Sequence, residues 1–206
     1  MKFSSSEMDL LFLLHYHEIA LKKGNRALFT KRLVENLKTG FNDFQDIEVK
    51  SLSGRVLLIV RKIEQESLLD EIKARLARTF GIVNFSPAYQ SSLDMQQLQQ
   101  RVVDKIVEKR IDFDNFRIST KRGDKSFHLN SPEINALVGA FVKEKTRAEV
   151  NLDSPQLNVH IEIVPRQSFF YFEKLTGPGG LPVGVSGKAV CLISGGIDSP
   201  VAAYRI

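Results

Sequence analysis

The sequence predicts an α/β (α+β) protein with two folded units followed by the beginning of a third. Strand-type and helix-type runs alternate along residues 8–175, and the composition changes abruptly to Gly and Pro over residues 176–187. A short apolar run, a glycine turn and a helix start then follow within residues 188–206. We therefore expect units at 1–64 and 65–175, a linker or ordered loop at 176–187, and a truncated unit at 188–206, with the first boundary between 60 and 90.

The composition is that of a folded protein outside the membrane. Of the 206 residues, 43% are hydrophobic and 26% are charged, which is enough apolar surface for packed cores. The apolar runs, such as Leu10–Leu14, are far shorter than the roughly 20 residues of a membrane-spanning helix. The N-terminus lacks the features of a secretory signal, and the single Cys191 cannot form an internal disulfide. These features predict a soluble cytoplasmic protein.

The first unit has the element order of a ferredoxin-like fold. Its two helices are indicated by apolar side chains at helical spacing, and its middle strands are joined by Ser53-Gly54, which suits an antiparallel hairpin. Pro87 confines the last strand to an edge or an end. The predicted elements, in the order strand, helix, strand, strand, helix, strand, are 8–15, 27–41, 47–52, 56–63, 65–80 and 82–89.

The second unit has a different order: helix, strand, helix, strand, strand. Asp94 opens the first helix, and Ser131-Pro132-Glu133 is a strong start for the second, with a capping side chain, a proline and a carboxylate in the first turn. The strands are predicted at 116–120, 157–164 and 168–173. The aromatic residues in the last of these are assigned to the core, because half of a strand's side chains must face it.

A phosphate-binding turn is predicted at Ser194–Ser199, between a buried strand at 189–193 and a helix start. Two glycines let the backbone approach an anion, consecutive N–H groups point into the loop, and the helix N-terminus favours negative charge. The spacing is neither the Walker pattern nor the dinucleotide fingerprint. A tight turn capped by Asp198 is the alternative.

Two basic stretches are candidates for RNA contact. The formal net charge is +5, which fits a nucleic-acid partner as well as an ordinary enzyme. Each stretch places several cations on or beside a loop, and Phe127 and His128 add stacking surface after the second. The alternative for each is a solvated face. The candidate residues are Lys22, Lys23, Arg26, Arg117, Lys121, Arg122 and Lys125.

The remaining titratable residues are assigned to the fold. His15 and His17 would share a strand face, but no carboxylate or cysteine cluster completes a metal site beside them, so no metal is expected. His160 alternates with apolar neighbours and is interpreted as an ordinary strand residue. Cys191 is expected to be a small buried side chain of the strand before the turn.

Three segments resemble one family in its own order. Residues 192–203, Leu-Ile-Ser-Gly-Gly-Ile-Asp-Ser-Pro-Val-Ala-Ala, closely resemble the PP-loop of ATP pyrophosphatases, and with residues 179–188 before them they resemble the tRNA 4-thiouridine synthetase family. The family's N-terminal ferredoxin-like domain is resembled by Glu18–Lys22, Asn25-Arg26 and Phe29. Its THUMP domain is resembled by Lys121–Phe127, Ser131–Asn135 and Gly139.

The resemblance implies a tRNA sulfurtransferase. ATP, expected with Mg²⁺, would adenylate the C4 oxygen of the uracil at position 8 of tRNA, and a persulfide sulfur would displace AMP to leave 4-thiouridine. It also implies a sulfur donor such as a cysteine desulfurase, and it leaves open a homodimer and a role in thiamine thiazole synthesis. Nucleotide contacts are implied for Leu192, Ile193, Ser194, Gly195, Gly196, Asp198 and Ser199, with Asp198 as the catalytic candidate.

The chain departs from the family pattern at two places. Many members carry Arg-Tyr-Gly-Glu where His15-Tyr16-His17-Glu18 stands here, and the family's sulfur-carrying cysteines lie beyond the residues present. We therefore expect the 206-residue chain alone to be inactive, as a truncated form of the enzyme. The alternative function is a stand-alone tRNA-binding THUMP module without catalysis.

Overall fold

The computed structural model describes residues 8–44, 46–63 and 67–205. The strands in this part of the chain are β1 (Met8–His15), β2 (Ile47–Leu52), β3 (Arg55–Ile63), β4 (Asn84–Pro87), β5 (Tyr89–Ser91), β6 (Asn115–Arg122), β7 (Glu149–Val150), β8 (Leu157–Val164), β9 (Gln167–Tyr171) and β10 (Leu175–Thr176). The α-helices are α1 (Glu18–Leu21), α2 (Arg26–Gly40), α3 (Ser67–Leu76), α4 (Met95–Glu108), α5 (Ser131–Thr146) and α6 (Asp198–Arg205). Both sheets have five strands.

The first layer is a sheet in the order β10-β4-β1-β3-β2 with helices on one face. Phe12 and Leu14 of β1 pack against Leu33 of α2 and Ile72 of α3, whereas Leu13 points to the opposite face. The hairpin turn between β2 and β3 contains Gly54 in the left-handed conformation. This layer has the ferredoxin-like arrangement that the element order predicts.

The predicted last strand, 82–89, divides between the two sheets. β4 pairs with β1, but Pro87 has no N–H for further pairing, and the Ala88 N–H donates to the Leu11 carbonyl at 2.8 Å. The chain then enters the other sheet as β5, which pairs with β9. We propose that the domain boundary lies at this crossing, inside the interval of 60 to 90. Residues 64–66, at the start of the helix predicted from Gln65, lie outside the described residues.

The second layer is a sheet in the order β5-β9-β8-β6-β7, with α4 and α5 on one face. β6 and β8 run parallel, in register from Phe116 opposite Leu157 to Arg122 opposite Ile163. Asp94 caps α4 as predicted, accepting a hydrogen bond from the Gln97 N–H. The cap of α5 is Asn130, one residue before the predicted Ser131, because the amide and the Glu133 carboxylate complete a reciprocal capping box.

The Gly- and Pro-rich segment is an ordered strap at residues 175–183, packed on the first layer. β10 adds two residues to the sheet beside β4, and the Gly177 and Gly179 N–H groups donate to the carbonyls of Val83 and Ile82 at 3.0 and 2.8 Å. Pro182 is buried against Gly81, where a Cβ would lie 3.0 Å from the proline ring. The chain therefore returns from the second layer to the first before residues 188–205.

The two sheets pack face to face through the sides that carry no helices. Leu13 and Leu57 of the first layer contact Val164, Phe169 and Tyr171 of the second in a small apolar cluster. Phe169, Phe170 and Tyr171 of the last predicted strand are buried, as expected, and Phe172 is partly buried against the second core.

A buried polar cluster lies beside this apolar contact, and we call it the Glu162 cluster. The Glu162 carboxylate accepts hydrogen bonds from His15 Nε2 at 2.7 Å and from the Tyr171 hydroxyl at 3.0 Å. Arg55 Nη2 lies 2.7 Å from Glu162 Oε2, a charge contact without hydrogen-bond alignment. Both Arg55 and Glu162 are only 3% exposed. His15 and Arg55 belong to the first layer and Glu162 and Tyr171 to the second, so the cluster joins the layers.

The surroundings of Glu162 favour its charged form. Burial alone would raise the pKa of the carboxyl, but the hydrogen bond and charge of His15, the charge of Arg55 and the Tyr171 hydroxyl outweigh burial and lower the pKa from 4.5 to about 2. Burial also raises the pKa of the Tyr171 phenol, and the Glu162 charge raises it further, so the phenol keeps its proton as the donor.

Replacing Gly177 by alanine should loosen the strap. A Cβ at this position would collide with the Ile82 carbonyl oxygen, so the substitution should lower the free energy of unfolding by roughly 1–3 kcal/mol. Urea unfolding measures the change. Gly40→Ala is the matched control, because a Cβ there meets nothing within 4 Å. Equal unfolding midpoints for the two variants would contradict the packing described for the strap.

The stability that Glu162 contributes should disappear in acid. The pKa of this carboxyl is lower in the folded protein than in the unfolded chain, so its contribution is complete above about pH 5 and is lost as the pH falls towards 2. The difference in free energy of unfolding between the wild type and Glu162→Gln should shrink over this range, as measured by urea unfolding at several pH values. A difference that stays constant over this range would be inconsistent with the ionised cluster.

Candidate functional site

A cleft of about 650 Å³ opens where the two sheets diverge beside the Glu162 cluster. Its cationic wall is formed by Arg117 and Lys121 of the second layer and by Lys174, which lies between β9 and β10. Glu162 is the one carboxylate among the described residues that line the cleft, and its charge is already matched by Arg55. The first layer contributes His15, Tyr16, His17, Gly54, Val83 and Asn84. The cleft therefore presents positive charge between two walls.

Strand β6 directs alternate side chains into the cleft. Arg117, Ser119 and Lys121 line it with polar side chains, and Phe116 is buried in the core with α4 and α5. Ile118 is buried in the same core but, like Thr120, also borders the cleft. Lys121 is exposed, and Arg117 donates from Nη1 to the Leu152 carbonyl at 2.8 Å. Arg117 Nε is buried and has no hydrogen-bond partner within the described residues. Two of the predicted RNA contacts thus share one wall.

Arg122 has a different environment from Lys121. Its Nη1 donates to the carbonyls of Phe127 and Leu129 at 3.0 and 3.1 Å, so the guanidinium holds the loop that leads into α5. Phe127 is buried in the core of the second layer, which corrects its prediction as stacking surface, because the loop turns this ring inward. Lys125 is exposed in the same loop.

The cations of the first layer lie next to the same region. Arg26 and Lys31 line a hollow of about 470 Å³, and Tyr16 and Gly54 line both this hollow and the cleft. Lys22 is exposed, with its Nζ 5.9 Å from the centre of the Phe29 ring. The side chain of Lys23 lies outside the described residues. The fold therefore brings both predicted basic stretches to adjoining surfaces.

Two lining residues escaped the sequence predictions. Lys174 is a single cation after an aromatic strand, a pattern that carries no signal of a site. His160, interpreted as an ordinary strand residue, stacks on Tyr171 with ring centres 5.0 Å apart and 16° between the planes. Burial lowers the pKa of His160, and the charges of Lys174 and Arg117 lower it further, so the ring is neutral at neutral pH. A neutral, stacked ring suits contact with a base.

The turn at Ser194–Ser199, the phosphate loop, is held by its own hydroxyls. The Ser194 N–H donates to Ser199 Oγ at 2.9 Å, the two hydroxyls are 3.1 Å apart, and the Gly196 N–H donates to Ser194 Oγ at 3.4 Å. Helix α6 begins at Asp198 directly behind the turn. The predicted loop and helix start are therefore both present.

Residues 189–193 do not form the buried strand that the apolar run predicts. Within the described ranges no strand pairs with this segment, and Val190, Leu192 and Ile193 are 94, 92 and 67% exposed. Cys191 is likewise exposed, which corrects its prediction as a buried side chain. An apolar run becomes a buried strand only when neighbouring strands cover it.

The described residues contain no group of three or more His, Cys, Asp or Glu side chains placed to hold a metal ion. None of the helices in the described ranges is both long and apolar enough to cross a membrane.

Family models match three parts of the chain. They are the ThiI ferredoxin-like domain at residues 11–86, the THUMP domain at residues 89–173, and a model described as thiamine biosynthesis protein (ThiI) at residues 184–206. The first two ranges correspond to the two layers, and the third contains the phosphate loop.

Curated relatives and solved structures agree with these models. The probable tRNA sulfurtransferases of Bacillus licheniformis and Thermus thermophilus are 37 and 39% identical over 193 and 200 residues, covering 93 and 97% of this chain and 47 and 48% of the relatives. A crystal structure of a 4-thiouridine synthetase–RNA complex with bound ATP matches 96% of this chain and 50% of its own, at 30% identity and a TM-score of 0.72. PH1313 from Pyrococcus horikoshii matches 86% of this chain and 58% of its own, at 29% identity and a TM-score of 0.73.

The chain spans about half the length of the curated relatives that it matches. Over that half its matched segments are, in order, a ThiI ferredoxin-like domain, a THUMP domain and the start of a ThiI domain, and this order makes the chain similar to part of the tRNA sulfurtransferases.

Proposed function

We propose that this chain is the tRNA-binding and phosphate-loop part of an enzyme that makes 4-thiouridine at position 8 of tRNA. The observation that carries the proposal is the cationic cleft, whose walls come from both domains. Relatives named tRNA sulfurtransferase and the RNA complex of a 4-thiouridine synthetase support it. We also propose a cytoplasmic location, because tRNA is the substrate.

RNA binding would use the phosphate backbone first. Lys121 and Lys174 offer charge to phosphates at the mouth of the cleft, and the buried Arg117 Nε offers a donor deeper inside. The stacked His160 ring and the hydroxyl of Ser119 could contact an unpaired nucleotide. Lys22, Lys23, Arg26 and Lys125 would extend the phosphate contacts, whereas Arg122 would act through the loop that it holds.

The phosphate loop fits the phosphates of ATP. A Cβ at Gly195 would meet no atom within 4 Å, and neither Gly195 nor Gly196 has a left-handed backbone, so the fold itself does not require glycine at either position. Because glycine has no side chain, the backbone N–H groups at these two positions stay accessible to an anion, and this gives the glycines a use that the fold does not. The hydroxyls of Ser194 and Ser199 would add donors, and Asp198 would order the loop or a Mg²⁺ ion.

ATP is a substrate of the proposed reaction: it adenylates the C4 oxygen of the uracil with release of pyrophosphate. The outer sulfur of a persulfide would then form the C4–S bond as AMP leaves, and a second thiol would reduce the remaining S–S bond to free the 4-thiouridine. Leu192 and Ile193 would contact the adenosine through their main chain, although neither residue lines the cleft or the hollow described above. The persulfide would come from a donor such as a cysteine desulfurase, and the exposed Cys191 has no part in the proposed chemistry. A role in thiamine thiazole synthesis is proposed from the family alone.

A second candidate function is a stand-alone tRNA-binding module. The exposure of residues 189–193 favours it, because these residues lack the sheet that would hold the phosphate loop in place. Both candidates predict tRNA binding, and only the first predicts that the loop takes part in chemistry within a longer protein.

The 206-residue chain should bind tRNA with an affinity that falls steeply as salt increases, because each phosphate contact releases counterions. Lys121→Ala should weaken binding and reduce the slope of log affinity against log salt by about 1. Filter binding at several salt concentrations measures both. Lys109→Ala, an exposed lysine outside the cleft, is the control. Equal tRNA affinities of the two variants would mean that Lys121 is an ordinary solvent-exposed lysine with no part in binding. Equal affinity of the wild-type chain for tRNA and duplex DNA would contradict the RNA-binding role.

The chain alone should not release pyrophosphate from ATP in the presence of tRNA, because the ordering of an exposed loop opposes ligand binding. A pyrophosphate-release assay with the 206-residue chain measures this. Asp198→Ala serves as the internal control, since it removes the catalytic candidate while leaving the cleft unchanged. Release by the wild-type chain that Asp198→Ala abolishes would show that the chain is catalytically complete.

A further inference from the structure

The floor of the cleft is the joint between the two layers. His15, Glu162 and Tyr171 line the cleft and also form the Glu162 cluster, and Arg55 follows Gly54, which lines both the cleft and the neighbouring hollow. The cations on either side of this floor belong to different layers: Arg26 and Lys31 to the first, and Arg117 and Lys121 to the second, while Lys174 lies on the connection from β9 to β10. Their spacing is therefore set by how the layers are oriented.

We infer that Glu162 is a positioning residue for RNA binding: by fixing Arg55 and His15 against the second layer, it sets the spacing between the cationic surfaces of the two domains. The inference rests on the proposed function for its RNA part. It assigns no contact between Glu162 and RNA, because the carboxylate is buried and faces three protein partners.

The apolar contact between the sheets does not specify one orientation. This contact buries the apolar surface of Leu13, Leu57, Val164 and Phe169. Apolar burial is non-directional, so the two sheets would bury a similar apolar area in several neighbouring orientations. The Glu162 cluster is directional, because its hydrogen bonds and charge contact require three partners from two layers at fixed distances.

The unpartnered atoms of the cluster make other orientations costly. Arg55 Nε and Nη1 and His15 Nδ1 are buried without hydrogen-bond partners among the described residues, so Glu162 supplies most of the compensation that these groups receive. A shift between the layers that separated Arg55 from Glu162 would leave a buried, unpaired charge, which is strongly unfavourable. The cluster therefore selects one packing of the sheets.

Arg55 also reaches the loop that follows the cationic strand. A Cβ at Gly123 would lie 3.3 Å from Arg55 Nη1 and 3.5 Å from Nη2, so the guanidinium packs directly against the backbone after Arg122. The first layer thus supports the loop whose neighbours include Lys121 and Lys125. Moving Arg55 would disturb the position of these cations as well as the angle between the layers.

The test replaces the ion pair by apolar side chains without changing the net charge. Arg55→Met combined with Glu162→Leu removes one positive and one negative group, and apolar replacement of a buried ion pair commonly preserves stability. Arg61→Met combined with Glu48→Leu is the matched control, because this Arg–Glu pair joins two strands within the first layer. Both double variants are made in the 206-residue chain, and folding is confirmed by a cooperative thermal transition.

Two measurements are made on each variant. Spin labels at Lys38→Cys on α2 and Glu144→Cys on α5, with Cys191→Ser to remove the single native thiol, report the distance between the layers by pulsed electron resonance. Filter binding without labels reports the affinity for tRNA. The distance measurement is made without RNA, so it tests the orientation of the layers whether or not the wild-type chain binds tRNA. Failure of the wild-type chain to bind tRNA would count against the proposed function.

We expect the Arg55→Met/Glu162→Leu variant to fold, to show a broadened or shifted distance distribution, and to bind tRNA about tenfold more weakly than the wild type. The Arg61→Met/Glu48→Leu variant should match the wild type in both measurements. An unchanged distance distribution in the folded Arg55→Met/Glu162→Leu variant would overturn the inference, and so would unchanged tRNA affinity with an altered distribution. If that variant fails to fold, the same two measurements are made on Tyr171→Phe, which removes one hydroxyl donor to Glu162. A distance distribution and a tRNA affinity equal to those of the wild type would overturn the inference. A smaller change in both, in the direction expected for the double variant, would support it.

Discussion

The Glu162 carboxylate lies where two helix-backed sheets meet, and it is bound by groups from both of them. Each sheet has its own core on its helix-covered face, and a third, smaller apolar cluster lies between the sheets. Between the layers lie this modest apolar cluster and a buried ion pair, in which Glu162 contacts Arg55 and His15 of the first layer and Tyr171 of its own layer. Because a buried charge tolerates little displacement of its partners, the cleft has a defined width.

The chain path reinforces this arrangement. The crossing after Pro87 and the return through the strap at residues 175–183 attach the second layer to the first at two places, both beside β4. The strap ends where residues 188–205 begin, and the Tyr204 ring of α6 lies 5.6 Å from Phe80 of the first layer. The phosphate loop is thus carried by the same layer that supplies Arg26 and Lys31, while the main cationic wall belongs to the other.

The features that the sequence predicts well are those fixed by local periodicity. The ferredoxin-like order, the hairpin around Gly54 and the helix opened by Asp94 depend on spacing, turn residues and caps that lie close together in the chain. The cleft could not be predicted in the same way, because Lys174 and His160 become site residues only when β8, β9 and the first layer are brought together. Arg122 shows the converse: its neighbours in sequence suggest RNA contact, yet its hydrogen bonds hold a loop.

Residues 189–196 separate what the local sequence encodes from what its surroundings must supply. The apolar run at 189–193 has the composition of a buried strand and remains exposed, because burial is a property of the neighbours and not of the run. The local structure also does not explain the glycines at 195 and 196, since neither packing nor backbone conformation in the described structure requires glycine there. Under the proposed function the two features have related explanations: neighbouring strands would cover the apolar run, and the glycines would leave N–H groups open to an anionic ligand.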